Sequence, residues 1–107
     1  NGFRITFQPE VTSVKAGESQ TVTASILRSK RFTKTNIDLK VLPLPQGITI
    51  ELNKQNADQY ELIIKADASV PKGNYTATIL GKTSLLTKSH LVEIQVQGKD
   101  GVVESTN

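Results

Sequence analysis

The chain has 107 residues, the size of one domain, and its 36% hydrophobic and 21% charged residues suffice for a packed core. Thirteen Lys and Arg against ten Asp and Glu leave a net charge of +3, too slight a basic balance to imply nucleic acid or anionic lipid. With no Cys, no Trp, no Met and one His, the composition excludes a disulfide framework, a thiolate metal centre and a cysteine nucleophile.

Apolar residues recur with period two along the chain, and a helical period is almost nowhere visible. Phe3, Ile5 and Phe7 alternate with Arg4, Thr6 and Gln8 in a first strand. Val22, Ala24 and Ile26 form one face of a second, with Thr21, Thr23 and Ser25 on the other. Ile37, Leu39 and Val41 mark a third, Ile48, Ile50 and Leu52 a fourth. Tyr60, Leu62, Ile64 and Ala66 mark a fifth, Tyr75, Ala77 and Ile79 a sixth, and Val92, Ile94 and Val96 a seventh. Turn residues separate these runs: Ala16-Gly17-Glu18, Pro43 to Gly47, Asn53 to Asp58, and Val70 to Asn74. A run about every ten residues is the spacing of an antiparallel sandwich or barrel. Each strand has one apolar face, so two stacked sheets bury what one sheet leaves in water. A closed barrel is the competing arrangement.

The predicted fold is therefore all-β, a sandwich of about seven antiparallel strands in two sheets without a disulfide. It is expected over residues 1–97. Residues 98–107 are rich in Gly, Asp, Lys, Ser, Thr and Asn, and read as a flexible linker or tail. No leader pattern and no apolar stretch of membrane-crossing length is legible. The composition reads as a module cut from a longer chain.

Three features narrow the fold. Gly73-Asn74-Tyr75-Thr76-Ala77 resembles the tyrosine corner of immunoglobulin folds, with Ala77 where antibody domains place a Cys. Ala24 stands at the partner position, and Leu39 where those domains place a buried Trp. The order Val14-Lys15-Ala16-Gly17-Glu18-Ser19, Leu44-Pro45-Gln46-Gly47-Ile48 and Val70-Pro71-Lys72-Gly73-Asn74-Tyr75 resembles the Ig-like modules of bacterial and archaeal extracellular proteins. The likeness is in particular to the alpha-galactosidase-associated type found beside glycosidases, proteases and carbohydrate-binding modules. It covers about residues 3–97 and rests on structural turns, so it speaks for fold more than function. It implies a secreted or cell-surface accessory domain that spaces or supports its neighbours. It brings no catalytic residues.

Candidate chemistry is sparse. His90 precedes the last strand without a nucleophile elbow elsewhere, and reads as a surface or edge imidazole. Asn53, Asn56 and Asp58 are the densest oxygen cluster, yet lack the spacing of a calcium loop, and Asp67 is a lone loop-end acid. Glu51, Glu61 and Glu93 fall at outward strand positions rather than in a cleft. No catalytic residue, metal ligand or cofactor is expected.

The segment Arg28-Ser29-Lys30-Arg31-Phe32-Thr33-Lys34 stands out, with four cations and one aromatic in seven residues. It falls in a loop at one end of the sandwich. Arg28, Lys30, Arg31, Phe32 and Lys34 are therefore the candidate binding loop, for an anionic glycan or an acidic protein. Against this stands a plain solvated loop with Phe32 tucked under the sandwich. On the far side, Leu85 and Leu86 in the last hairpin form a candidate contact patch, with one leucine expected inward. Leu27, Leu42, Ile63 and Leu80 break the alternation outward, as an inter-domain contact would. Asn74-Tyr75-Thr76 matches a glycosylation sequon that the corner motif already explains. A sugar platform of aromatics is weakly supported by 5% aromatic content.

Expected partners are neighbouring domains of the same chain and, secondarily, a protein or carbohydrate. Nucleic acid and membrane insertion are not expected. The leading reading is a non-catalytic accessory module of a secreted or surface protein, acting as spacer, support or adhesion unit. The alternative is a ligand-binding module that uses the basic loop.

Overall fold

The structure, a computed structural model, describes residues 2–98. It contains eight strands: β1 Phe3–Gln8, β2 Val11–Lys15, β3 Ser19–Arg28, β4 Asp38–Val41, β5 Ile48–Asn56, β6 Gln59–Ala66, β7 Gly73–Lys82 and β8 Thr87–Gln97. A single 3₁₀ turn, Lys30–Phe32, interrupts the β3–β4 connection. The strands form two four-stranded sheets in the orders β1-β3-β6-β5 and β2-β8-β7-β4. This is the two-layer immunoglobulin-like sandwich, not a closed barrel. Apart from Gly98, the expected tail lies outside the described residues.

Burial follows the alternation. Phe3, Ile5 and Phe7 on β1, Val22, Ala24 and Ile26 on β3, and Tyr60, Leu62, Ile64 and Ala66 on β6 face Val14, Ala77, Ile79, Val92, Ile94 and Val96 of the other sheet. Eight aliphatic side chains, among them Leu62, Ile64, Ile79 and Ile94, are almost fully buried. Each contributes about 1.5–3 kcal/mol by leaving water, so the core alone outweighs anything a surface ion pair offers. The packing is close enough to require a bare backbone at one point. A Cβ on Gly81 would stand 2.8 Å from Cε1 of Phe3.

The eighth strand, β2, is the departure from the predicted seven. Val11 to Lys15 buries Thr12 and Val14 and pairs in parallel with β8, Val11 opposite Glu93 and Lys15 opposite Gln97. Only two inward residues, one of them polar, were too few to stand out as a period. The chain passes from the first sheet to the second at Pro9-Glu10, so the opening segment serves both layers.

The tyrosine corner is present. Tyr75 donates its hydroxyl to the Pro71 carbonyl at 2.6 Å, with its ring half-buried. Ala24 and Ala77 lie at 0% and 1% exposure, within the packed core. Leu39 is half-buried, and Ile37, just before β4, fills the deep position instead at 1% exposure.

β3 ends, and the β5–β6 and β7–β8 hairpins turn, at one pole together with Gly2. There the Ser29 N–H donates to the Gly2 carbonyl at 2.8 Å, and the Ile26 N–H to the Asp58 carbonyl at 2.8 Å. The turns at Ala16–Glu18, Pro45–Gly47 and Asp67–Val70 gather at the other. There the Ala16 N–H donates to Gln97, Gly17 to Ala66, and Asp67 to Gly47.

Candidate functional site at the basic pole

The predicted binding loop is braced by hydrogen bonds from Arg28. Its Nε–H donates to Oδ1 of Asp58 at 2.6 Å. One terminal nitrogen donates to the carbonyls of Phe32 at 2.7 Å and Thr35 at 2.5 Å, and the other to Ala57 at 3.1 Å. The planar guanidinium thus ties the β3–β4 loop to the β5–β6 hairpin, a geometry a lysine cannot reproduce. Arg28 is a bracket within the loop, so its donors are largely engaged by the chain itself.

The remaining candidates divide. Phe32 is half-buried and packs its ring on Phe3 with centroids 6.0 Å apart and planes tilted by 54°. It is the inward anchor of the loop. Lys30, Arg31 and Lys34 are exposed. The turn that carries them is closed internally: the Phe32 N–H donates to Ser29 at 2.9 Å, and the Thr33 hydroxyl to the Lys30 carbonyl at 2.8 Å.

Leu85 and Leu86 were expected on the far side and instead lie at the same pole. β7 and β8 run the length of the sandwich, so their hairpin meets the end of β3. The Thr83 hydroxyl oxygen accepts the N–H groups of Leu85 at 3.1 Å and Leu86 at 2.9 Å, which fixes the tip. Leu86 turns inward against the core, while Leu85 is 94% exposed. Between the hairpin and the basic turn opens a cleft of about 580 Å³, lined by Gly2, Ser29, Lys30, Arg31, Phe32, Leu86 and Lys88. A second cleft of about 400 Å³ shares Gly2, Ser29 and Lys88 with it and adds Arg4 and Leu27. Gly2, Arg4 and Lys88 escaped sequence reasoning, because only the register of β1 and β8 brings them beside the loop. Lys88 lies over the Phe3 ring at 5.4 Å and donates to the Phe3 carbonyl at 2.8 Å.

His90 is an edge imidazole, as expected, with a definite task. It stands on the inward face of β8, and its Nε2 accepts the Ile5 N–H at 3.3 Å. That bond bridges the slot between β1 and β8, where β2 no longer pairs. Accepting that bond requires an unprotonated Nε2, and Nδ1 is buried without a partner among the described residues. Burial first, and the nearby Lys88 charge second, lower the ring's pKa from the ordinary value. Glu10 shares the rim of this slot. No hydroxyl nucleophile is paired with His90 among the described contacts.

The other candidates stay apart. Glu51, Glu61 and Glu93 are exposed, and Glu93 accepts only the neighbouring Thr76 hydroxyl at 3.3 Å. Asn56 caps its own turn through the Asp58 N–H at 2.8 Å. Among the described residues, no three His, Cys, Asp or Glu side chains converge as metal ligands.

No protein-family model and no curated protein sequence matches the chain. Solved structures do resemble it. An endo-fucoidan hydrolase of glycoside hydrolase family 107 superposes with a TM-score of 0.64 at 14% identity over 92% of this chain and 14% of that one. Domains 4 and 5 of the S-layer protein SbsC match with a TM-score of 0.60 at 18% identity, over 87% of this chain and 44% of that one. A putative alpha-galactosidase from Bacteroides fragilis matches with a TM-score of 0.56 at 18% identity, over 90% of this chain and 18% of that one. Identities this low establish the fold alone. The present chain spans less than half the length of each of these three proteins.

Proposed function

We propose that the chain is a non-catalytic Ig-like accessory module of a larger secreted or cell-surface protein, acting as spacer, support or adhesion unit. The observation that carries this reading is the placement of the ends. The chain comes in at Gly2, bonded to Ser29 at the basic pole, and goes out at Gln97, bonded to Ala16 at the opposite pole. Domains joined at these two positions would stand a full sandwich length apart. The distinctive residues support the same reading, because Arg28, Tyr75, Phe32 and His90 are each engaged in holding loops or edges. The fold recurs as a minor part of a glycoside hydrolase and of an S-layer protein, which is the setting an accessory module occupies. The alpha-galactosidase-associated type remains the finer assignment we favour, on the turn sequences around Gly17, Gly47 and Gly73.

The test is replacement within the parent protein. Deleting the module should impair the parent's activity or attachment; an unrelated sandwich of equal length restores it for a spacer or support and fails to restore it for an adhesion unit. Turnover of a glycoside or peptide substrate by the chain alone would overturn the reading.

A further inference from the structure

We propose that the basic pole binds an anionic polysaccharide segment, a chain of pyranose rings bearing sulfate or carboxylate groups, in the joined clefts between the 3₁₀ turn and the last hairpin. This goes beyond the spacer role and does not depend on it.

The walls are cationic and the floor is apolar. Lys30 and Arg31 project from the turn, Lys88 lines both clefts while its Nζ donates to the Phe3 carbonyl, and Arg4 extends the line along β1. Phe32 and Leu86 lie between them, close enough that a Cβ on Gly2 would stand 3.4 Å from Leu86 and 3.5 Å from Phe32. Charged side chains around a partly apolar cleft suit a ligand that has both anionic substituents and a C–H face. A lone phosphate or sulfate uses the rim and not the floor. The two clefts share three residues, so the surface is continuous and accommodates an oligomer.

Lys30 and Arg31 are exposed to a ligand. Asp58, the acid drawn to this loop, is paired with Arg28. The Arg31 guanidinium, with its forked donors, matches a sulfate or carboxylate in two-point contact. The site is also preorganised. The Arg28 bracket fixes the turn and the Thr83 hydroxyl fixes the hairpin, so binding loses little loop entropy.

An acidic peptide fits less well. Extended peptides are held mainly by main-chain hydrogen bonds. At this pole the N–H groups of Ser29, Phe32, Thr33, Thr35, Thr83, Leu85 and Leu86 already have partners within the chain. What is left to a ligand is side-chain charge and a small apolar floor. With Phe32 the one aromatic that lines the larger cleft, charge dominates, and binding should weaken steeply with salt.

The experiment measures binding of the 107-residue chain to a heparin oligosaccharide, an oligogalacturonate and polyglutamate, for three proteins. These are the unaltered chain, Lys30→Ala/Arg31→Ala, and Lys15→Ala/Lys65→Ala, which removes the same charge from exposed positions on β2 and β6. We expect the first double substitution to weaken binding of one or both saccharides about tenfold and the second less than about twofold. Polyglutamate should bind more weakly than the preferred saccharide, and the preference between sulfate and carboxylate follows from the two saccharide arms. Equal losses in the two double variants would reduce the site to net charge and overturn the proposal. So would polyglutamate binding as tightly as the saccharides, or no saccharide binding at low salt.

Discussion

At the scale of single residues, polar side chains in this molecule hold junctions that the apolar core leaves open. Arg28 joins two loops, Tyr75 ties the β6–β7 connection, and His90 closes the slot between β1 and β8. The last has a measurable consequence. Nε2 of His90 must stay unprotonated to accept the Ile5 N–H, and burial together with Lys88 lowers its folded-state pKa. The unfolded chain therefore binds the proton more readily than the folded one. Stability from this source is fully present above the ordinary histidine pKa. It is lost as pH falls from there through the lowered folded value. Chemical denaturation from about pH 7.5 down to about pH 5, a window spanning the ordinary histidine value of about 6.5, should show stability falling with pH. His90→Gln should flatten that limb, since Gln does not titrate. An unchanged slope in the variant would assign the dependence to other groups.

At the scale of elements, the alternation of apolar and polar residues foretold seven strands, and the turns between them fell where Gly, Pro, Asn and Asp cluster. Period two is legible when three or more inward residues are apolar, as in Tyr60, Leu62, Ile64 and Ala66. β2 failed that condition because Thr12 takes one of its inward places. That threonine is 2% exposed, and its hydroxyl has no partner among the described residues. A hydroxyl buried in this way is a cost, and Val has nearly the same shape. Thr12→Val should raise the unfolding free energy by about 1 kcal/mol, read from a shift in denaturation midpoint. A loss of stability would mean that the hydroxyl has a partner after all. The basic loop was legible as composition, but its division of labour was not. Nothing in Arg28-Ser29-Lys30-Arg31 says which arginine is a bracket and which faces solvent. That depends on Asp58, thirty positions away, being carried to the loop by the β5–β6 hairpin. The pairing of Leu85 and Leu86 with the same pole likewise stems from strand length and register, which no local pattern encodes.

At the scale of the whole molecule, the two poles of the sandwich differ. One pole carries Lys30, Arg31, Leu85 and the incoming chain, and the other carries the tight turns and the outgoing chain. The cleft lined by Lys30, Arg31 and Lys88 therefore lies at the pole of Gly2 and away from the pole of Gln97. Among the described residues no helix is long and apolar enough to cross a membrane. The most direct test of this arrangement is the distance from entry to exit in solution. The chain has no cysteine, so Arg4→Cys/Gln97→Cys places two spin labels at exposed positions on β1 and β8 without interference. With a rise of about 3.3 Å per strand residue, the backbone positions should stand about 30 Å apart, in one narrow distribution. A distribution centred at half that separation would put both ends at one pole and contradict the account.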